Sequence, residues 1–221
     1  MTDQEAKNYI DNAFEKLRQI TSIDGIAQLA KEEPTQKNRM NDAVYPALNF
    51  SISKADIAKL VELGILDDNH AFSKDMNDKL TDPLTKLLYA TAWKNGDLPK
   101  IKHIIKGVLK ETDEEQAIVF HQFGRYLTKT LGQPIIDQHV IRAFGIFKPQ
   151  SKGDGKEWDV AAMRRLSIVN KRHNGIIAAY KEWLGSDGLS DELRQCADYT
   201  YHVDKLLFAL GKTVKYAKRK V

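Results

Sequence analysis

The stretch Pro134-Ile135-Ile136-Asp137-Gln138-His139-Val140-Ile141-Arg142-Ala143-Phe144 sets a single carboxylate between an extended entry and an apolar-periodic run. Ile136, Val140 and Phe144 recur at the spacing of one helical face, so a helix starts at Asp137. As its N-cap, Asp137 accepts a hydrogen bond from a first-turn amide, an arrangement that contributes about 0.5–2 kcal/mol. A carboxylate fixed at a helix mouth with apolar neighbours behind it also serves, where a cleft lies in front, as a charge stabiliser or general base. Both readings stand at this level.

Outward from this stretch the chain reads as helices. Thr2 and Glu5 have capping-box spacing ahead of Ala6, Ile10, Phe14 and Leu17. A short helix through Ile23 to Lys31 ends before Pro34, and residues 34–52 read as irregular. Ser53 opens a helix that stops at Gly64, and Asp82-Pro83 opens one so apolar on most faces that it is expected deep in a core. Leu98 to Leu109 is amphipathic, with Lys100, Lys102, His103, Lys106 and Lys110 on its polar side. A capping box at Thr112–Glu115 opens a long helix to Gly132. After Gly145, the run from Lys148 to Lys156 reads as a linker, and Ser190 caps a last helix ending in the basic tail Lys212 to Val221. No strand pattern and no internal repeat is present. The expected fold is therefore all-α, about nine or ten helices in one globular unit or two helical lobes around a cleft. The expected divisions are an N-terminal helical region over residues 1–80, a central lobe over 81–148, a linker over 149–156 and C-terminal helices over 157–221, with a single domain over 1–221 as the other reading.

Composition removes several classes of function. With 42% hydrophobic and 29% charged residues the chain has the profile of a folded globular protein. No apolar run nears the roughly 18–20 residues a bilayer span needs, and the polar start Met1-Thr2-Asp3-Gln4-Glu5 is not a signal peptide, which predicts a cytoplasmic location and no membrane partner. The one cysteine, Cys196, leaves no disulfide and no cysteine-rich zinc site. Asp67-Asp68-Asn69-His70 lacks the offsets of a calcium loop and reads as a polar turn. His103, His121 and His139 fall on separate helices, so no metal or other cofactor is expected. Phosphate-binding loops, dinucleotide fingerprints and nucleophile elbows are absent. The net charge of +4 permits contact with nucleic acid, and the tail is either a solubilising end or a phosphate contact.

Proline, two apolar residues, aspartate, one variable residue, His-Val and an arginine two further on resemble the segment that carries the essential aspartate in the helix-hairpin-helix base-excision DNA glycosylase superfamily. The order of helix, tight turn, helix, short loop and Asp137 at the mouth of a third helix resembles it too. The resemblance implies duplex DNA as partner and Asp137 as the catalytic group that assists departure of a damaged or mismatched base. It further implies DNA contacts by Lys100, Lys102, Lys106, Lys110, Arg142, Lys215, Lys218 and Arg219, and a base pocket formed from Trp93, Tyr126, His139 and Phe144. The chain departs from the family at the hairpin. Lys110-Glu111-Thr112-Asp113-Glu114-Glu115 holds no glycine, whose freedom at positive φ brings backbone amides against a phosphate, and its acidic side chains repel one. The apolar Val119 stands where bifunctional members carry a nucleophilic lysine, Lys129 lies too close to Asp137 to replace it, and no iron-sulfur cysteines follow. The activity implied is hydrolysis without a Schiff base; the alternative is a non-catalytic helical module that binds DNA or a protein.

Overall fold

A computed structural model describes residues 1–32, 34–112, 117–151, 156–186 and 188–216. Among them the chain is all-helical, with twelve α-helices, three 3₁₀ turns and no β-structure beyond two isolated bridges. No described helix is long and apolar enough to cross a membrane. Backbone contacts divide the chain into two compact units, Met1–Ala47 with Leu131–Val221, and Leu48–Thr130. The divisions thus fall near residues 47 and 130, whereas the sequence pointed to 80 and to 149–156. Residues 152–155 of the expected linker lie outside the described residues. Its flanks both belong to the larger unit and are joined by a Ser151–Glu157 bridge and a Trp158 N–H bond to Gln150 O.

The larger unit holds α1 (Asp3–Arg18), α2 (Ile23–Leu29), α8 (Gln138–Phe147), α9 (Val160–Arg165), α10 (Asn174–Leu184), α11 (Asp191–Gln195) and α12 (Tyr199–Val214). The capping box of Thr2 and Glu5 starts α1, which buries Ala6, Ile10, Ala13, Phe14 and Leu17 at the spacing read from the sequence. At the centre is α8, buried at every position from Val140 to Ile146 and packed against α1, α9, α10 and α12. Aromatic rings fill the space between α1, α8 and α10: Phe14 stacks on Phe147 with centroids 3.9 Å apart, and Phe144, Tyr180 and Trp183 surround them. The single last helix expected after Ser190 is two. Ser190 caps only the short α11, and Asp198, at φ 55°, turns the chain before α12 begins.

At one point α12 crosses α8 with backbones touching. A Cβ placed on Gly211 would stand 1.9 Å from His139 O, so only glycine fits.

The smaller unit holds α3 (Lys54–Glu62), α4 (Met76–Lys79), α5 (Pro83–Lys94), α6 (Ile101–Leu109) and α7 (Ile118–Leu127). Here the expected deep helix is corrected: α5 buries no residue, and Leu84, Leu87, Leu88 and Trp93 are 60–66% exposed. Apolar composition on most faces gave α5 no preferred side, and the unit's small core of Ile57, Leu66, Ile105 and Val108 is built by other elements. An apolar recess of about 330 Å³, walled by Phe50, Ile57, Phe72, Ile105 and Phe123, adjoins that core. The helices α6 and α7 pair through two glycines: a Cβ on Gly107 would lie 2.0 Å from His121 O, and one on Gly124 2.0 Å from Ile104 O. In the turn between them Lys110 itself takes the left-handed conformation, φ 65°. Residues 113–116, most of the acidic turn and of the expected Thr112–Glu115 capping box, lie outside the described residues, and described α7 begins at Ile118.

Candidate active site

Asp137 closes an extended approach to α8. Its backbone, φ −138° and ψ 178°, is that of an N-cap, and Oδ1 accepts from the His139 and Val140 amides at 2.7 and 2.8 Å. With both bonds on Oδ1, Oδ2 receives none among the described residues. Burial pushes the Asp137 carboxyl above the ordinary carboxylate range, while the Val140 and His139 amides and the Arg142 charge hold it down.

This half-buried carboxylate lines a pocket of about 290 Å³ in the larger unit. Ile135 and Val140 come from around the cap, Tyr201 and Phe208 from α12, and Met40 and Tyr45 from the irregular segment after α2. Tyr201 donates to Tyr45 O at 3.1 Å, which fastens one wall to the other. Lys205 pairs with Asp42 and lies 5.3 Å over the Tyr201 ring.

A second carboxylate lines the same pocket. Asp204, 3% exposed, accepts from Tyr180 Oη at 2.7 Å on Oδ1 and from the Ile135 amide at 2.6 Å on Oδ2. Burial drives its carboxyl well above the usual range, and the Asp137 charge acts in the same direction against the two hydrogen bonds. Burial thus raises both carboxyls, and Asp204 is the more deeply buried of the two.

His139 and Arg142 support the cap from inside. Arg142 Nη1 lies 2.6 Å from His139 Nδ1, and because a guanidinium only donates, Nδ1 is the unprotonated nitrogen and Nε2 carries the hydrogen. Burial, with Arg142, Lys215 and Lys212 adding positive charge, lowers the His139 pKa to about 4. The ring meets Phe208 edge-on at 4.8 Å. Arg142 is 0% exposed and also donates to Met163 O, Gly211 O and Leu166 O. That corrects its expected contact with phosphate, since a side chain with no surface and its donors aimed at protein carbonyls has none to offer DNA.

The other expected site residues scatter. Phe144 is sealed in the aromatic core and does not reach the pocket. Tyr126, 5% exposed, and Trp93, on the open face of α5, belong to the smaller unit. So do Lys100, which pairs with Asp97 and lies 5.0 Å over Phe120, the half-buried Lys102 and Lys106, and the exposed Lys110. His103, expected on the polar side of that helix, is 7% exposed. Lys215 follows α12 beside His139, whereas Lys218 and Arg219 lie outside the described residues.

Asp204, Tyr45, Tyr201 and Phe208 were not singled out from the sequence. Asp204 carried a signal, being an acidic residue on the core-facing stripe of α12 between Thr200 and Leu207. Among the described residues no group of three histidine, cysteine, aspartate or glutamate side chains is placed to hold a metal ion. Against known proteins, the chain matches no family model, no curated protein and no solved structure. The pocket sets two carboxylates, Asp137 and Asp204, beside the aromatic rings of Tyr45, Tyr201 and Phe208.

Proposed function

We propose that this protein hydrolyses the N-glycosidic bond of a damaged or mismatched base flipped out of duplex DNA, as a monofunctional glycosylase of the helix-hairpin-helix kind that the Asp137 segment resembles. The observation that carries the reading is the Asp137 carboxylate itself, with Oδ1 tied to two amides and Oδ2 left over, on the wall of an aromatic pocket of about 290 Å³.

The extruded base stacks on Phe208 and Tyr201. As the C1′–N bond breaks, its electron pair leaves with the base and the sugar gains positive charge, which the Asp137 carboxylate stabilises. Water adds to C1′ and gives a proton to Asp137. Lys212, 5.7 Å over the Phe208 ring, and Lys215 bring positive charge to the neighbourhood of this wall, as contact with phosphates requires.

Purified protein is expected to leave abasic sites in duplexes carrying oxidised, alkylated or deaminated bases, and Asp137→Asn to abolish them. A full lesion panel with no abasic product from the wild-type protein overturns the enzyme. One observation favours a second reading, a non-catalytic helical module that binds DNA or a protein. The sequence of the turn after α6, Lys110 to Glu115, holds no glycine and carries four acidic residues where a phosphate would have to approach, which disfavours a phosphate cradle there. Binding that weakens steeply with salt and yields no abasic sites is the result that selects DNA binding without catalysis.

A further inference from the structure

We propose that Asp204 is a positioning residue for Asp137: clamped by Tyr180, it takes the Ile135 amide and so fixes the direction in which the Asp137 carboxylate enters the pocket. The inference deepens the glycosylase reading and rests on it for the catalytic consequence.

The position of Asp204 is one an apolar residue would fill at less cost. Its neighbours Val203, Leu206 and Leu207 are all 0% exposed, and a buried carboxyl without partners is strongly unfavourable. Instead both oxygens are matched, one to a phenol of α10 and the other to a main-chain amide two residues before Asp137. Only Ile136, 1% exposed and locked in the core, separates that amide from the N-cap. The first turn of α8 holds Asp137 from one side through the His139 and Val140 amides. Asp204 holds the approach from the other. Without it, the Ile135 amide loses its partner and the approach to Asp137 loses one of its anchors, while α8 keeps its cap.

The charged and titratable groups that face the pair are Arg142 toward Asp137, Tyr180 and Asp137 toward Asp204, and Lys205 and Tyr201 along the pocket wall, with Tyr199 behind Tyr180. None of these changes in the variants below except Tyr180. Asparagine reproduces the geometry of Asp204, with Oδ1 accepting from Ile135 and Nδ2 donating to Tyr180 Oη. Alanine does neither.

The test compares Asp204→Ala, Asp204→Asn and Tyr180→Phe in the full chain, by two readouts. One is steady-state release of uracil, hypoxanthine or 7-methylguanine from duplex oligonucleotides. The other is carbon-13 titration of the Asp137 carboxyl, which needs no activity. Asp204→Ala is expected to lower kcat about 10²-fold with little change in KM, as a misaligned catalytic group does, and to move the Asp137 titration. Asp204→Asn is expected to restore both to near wild type. Tyr180→Phe, which opens no cavity, shifts the titration in the same direction as Asp204→Ala and stands in for it if that variant does not fold. Folded Asp204→Ala with wild-type kcat and an unmoved Asp137 titration overturns the proposal. So does Asp204→Asn as impaired as the alanine variant, because the acid proton and not the geometry would then matter. If wild-type protein releases no base while the alanine variant moves the Asp137 titration and asparagine restores it, the positioning stands and the glycosylase reading falls.

Discussion

Replacing Gly211 by alanine isolates the contact on which the site is built. The new Cβ would stand 1.9 Å from His139 O, 2.7 Å from its carbonyl carbon and 3.1 Å from its Cα, all backbone atoms of a buried helix turn. No flexible side-chain end is available to move aside. The helices α8 and α12 have to separate, at an overpacking cost of about 1–3 kcal/mol. Separation also strains the bond from Arg142 Nη1 to Gly211 O, 2.9 Å long, and a hydrogen bond from a charged donor contributes about 1.5–3 kcal/mol. The sum, about 2.5–6 kcal/mol, exceeds the roughly 1 kcal/mol that alanine gains over glycine in a helix interior. Against a total stability of about 5–15 kcal/mol it is a large fraction. Urea denaturation followed by circular dichroism measures it, with a midpoint lowered by about 1–2 M expected for a slope of about 3 kcal/mol/M, the upper end of the usual range. Gly185→Ala serves as the control. Its Cβ meets only Glu182 O at 3.7 Å and Lys181 O at 3.9 Å, and it is expected to be neutral or slightly stabilising. A Gly211→Ala midpoint as close to wild type as that of Gly185→Ala would refute the argument.

His139 binds its proton more weakly in the folded chain, pKa about 4 against 6.5, so its contribution to stability is complete above about pH 6.5 and is lost as pH falls toward 4. His139→Gln, which keeps an acceptor for Arg142, should show a shallower fall over that window in urea midpoints measured at each pH. Arg142→Met leaves the Met163, Leu166 and Gly211 carbonyls without their donor and should cost about 3 kcal/mol or more, with the His139 proton resonance titrating nearer 6.5 once the guanidinium is gone. Phe14→Ala empties the ring stack on Phe147 and should cost about 3–5 kcal/mol by the same denaturation. Leu87→Glu, on the open face of α5 at 64% exposed, should change stability by less than about 0.5 kcal/mol and raise solubility.

Helix starts were the most legible feature of the sequence because each depends on a few adjacent residues. Thr2, Ser53, Asp82 and Asp137 cap where their side chains and spacing indicate. Burial was legible where the pattern was one-sided, as in α1. It was not in α5, whose apolar residues point every way and whose environment depends on what other elements leave uncovered. The pocket was half legible. Asp137 is local information, a carboxylate before a periodic run. Its partner Asp204 is 67 residues away, and Ile135, Tyr180 and Asp204 meet only when α8, α10 and α12 have packed. Arg142 shows the opposite failure. An arginine two residues after His-Val looks like a surface cation, and only the helix ends carrying Met163, Leu166 and Gly211 supply the carbonyls that make its burial tolerable.

The paired glycines of α6 and α7 constrain how this chain changes over generations. Each faces main-chain oxygen of the opposite helix, so a side chain at either one is opposed by atoms that no substitution elsewhere removes. A second mutation cannot rescue the first by shrinking a neighbour, because the opposing atoms are the main-chain oxygens of His121 and Ile104, which every residue carries. Positions 107 and 124 should therefore stay glycine in every descendant that retains this hairpin, while the leucines of α5 drift freely around them.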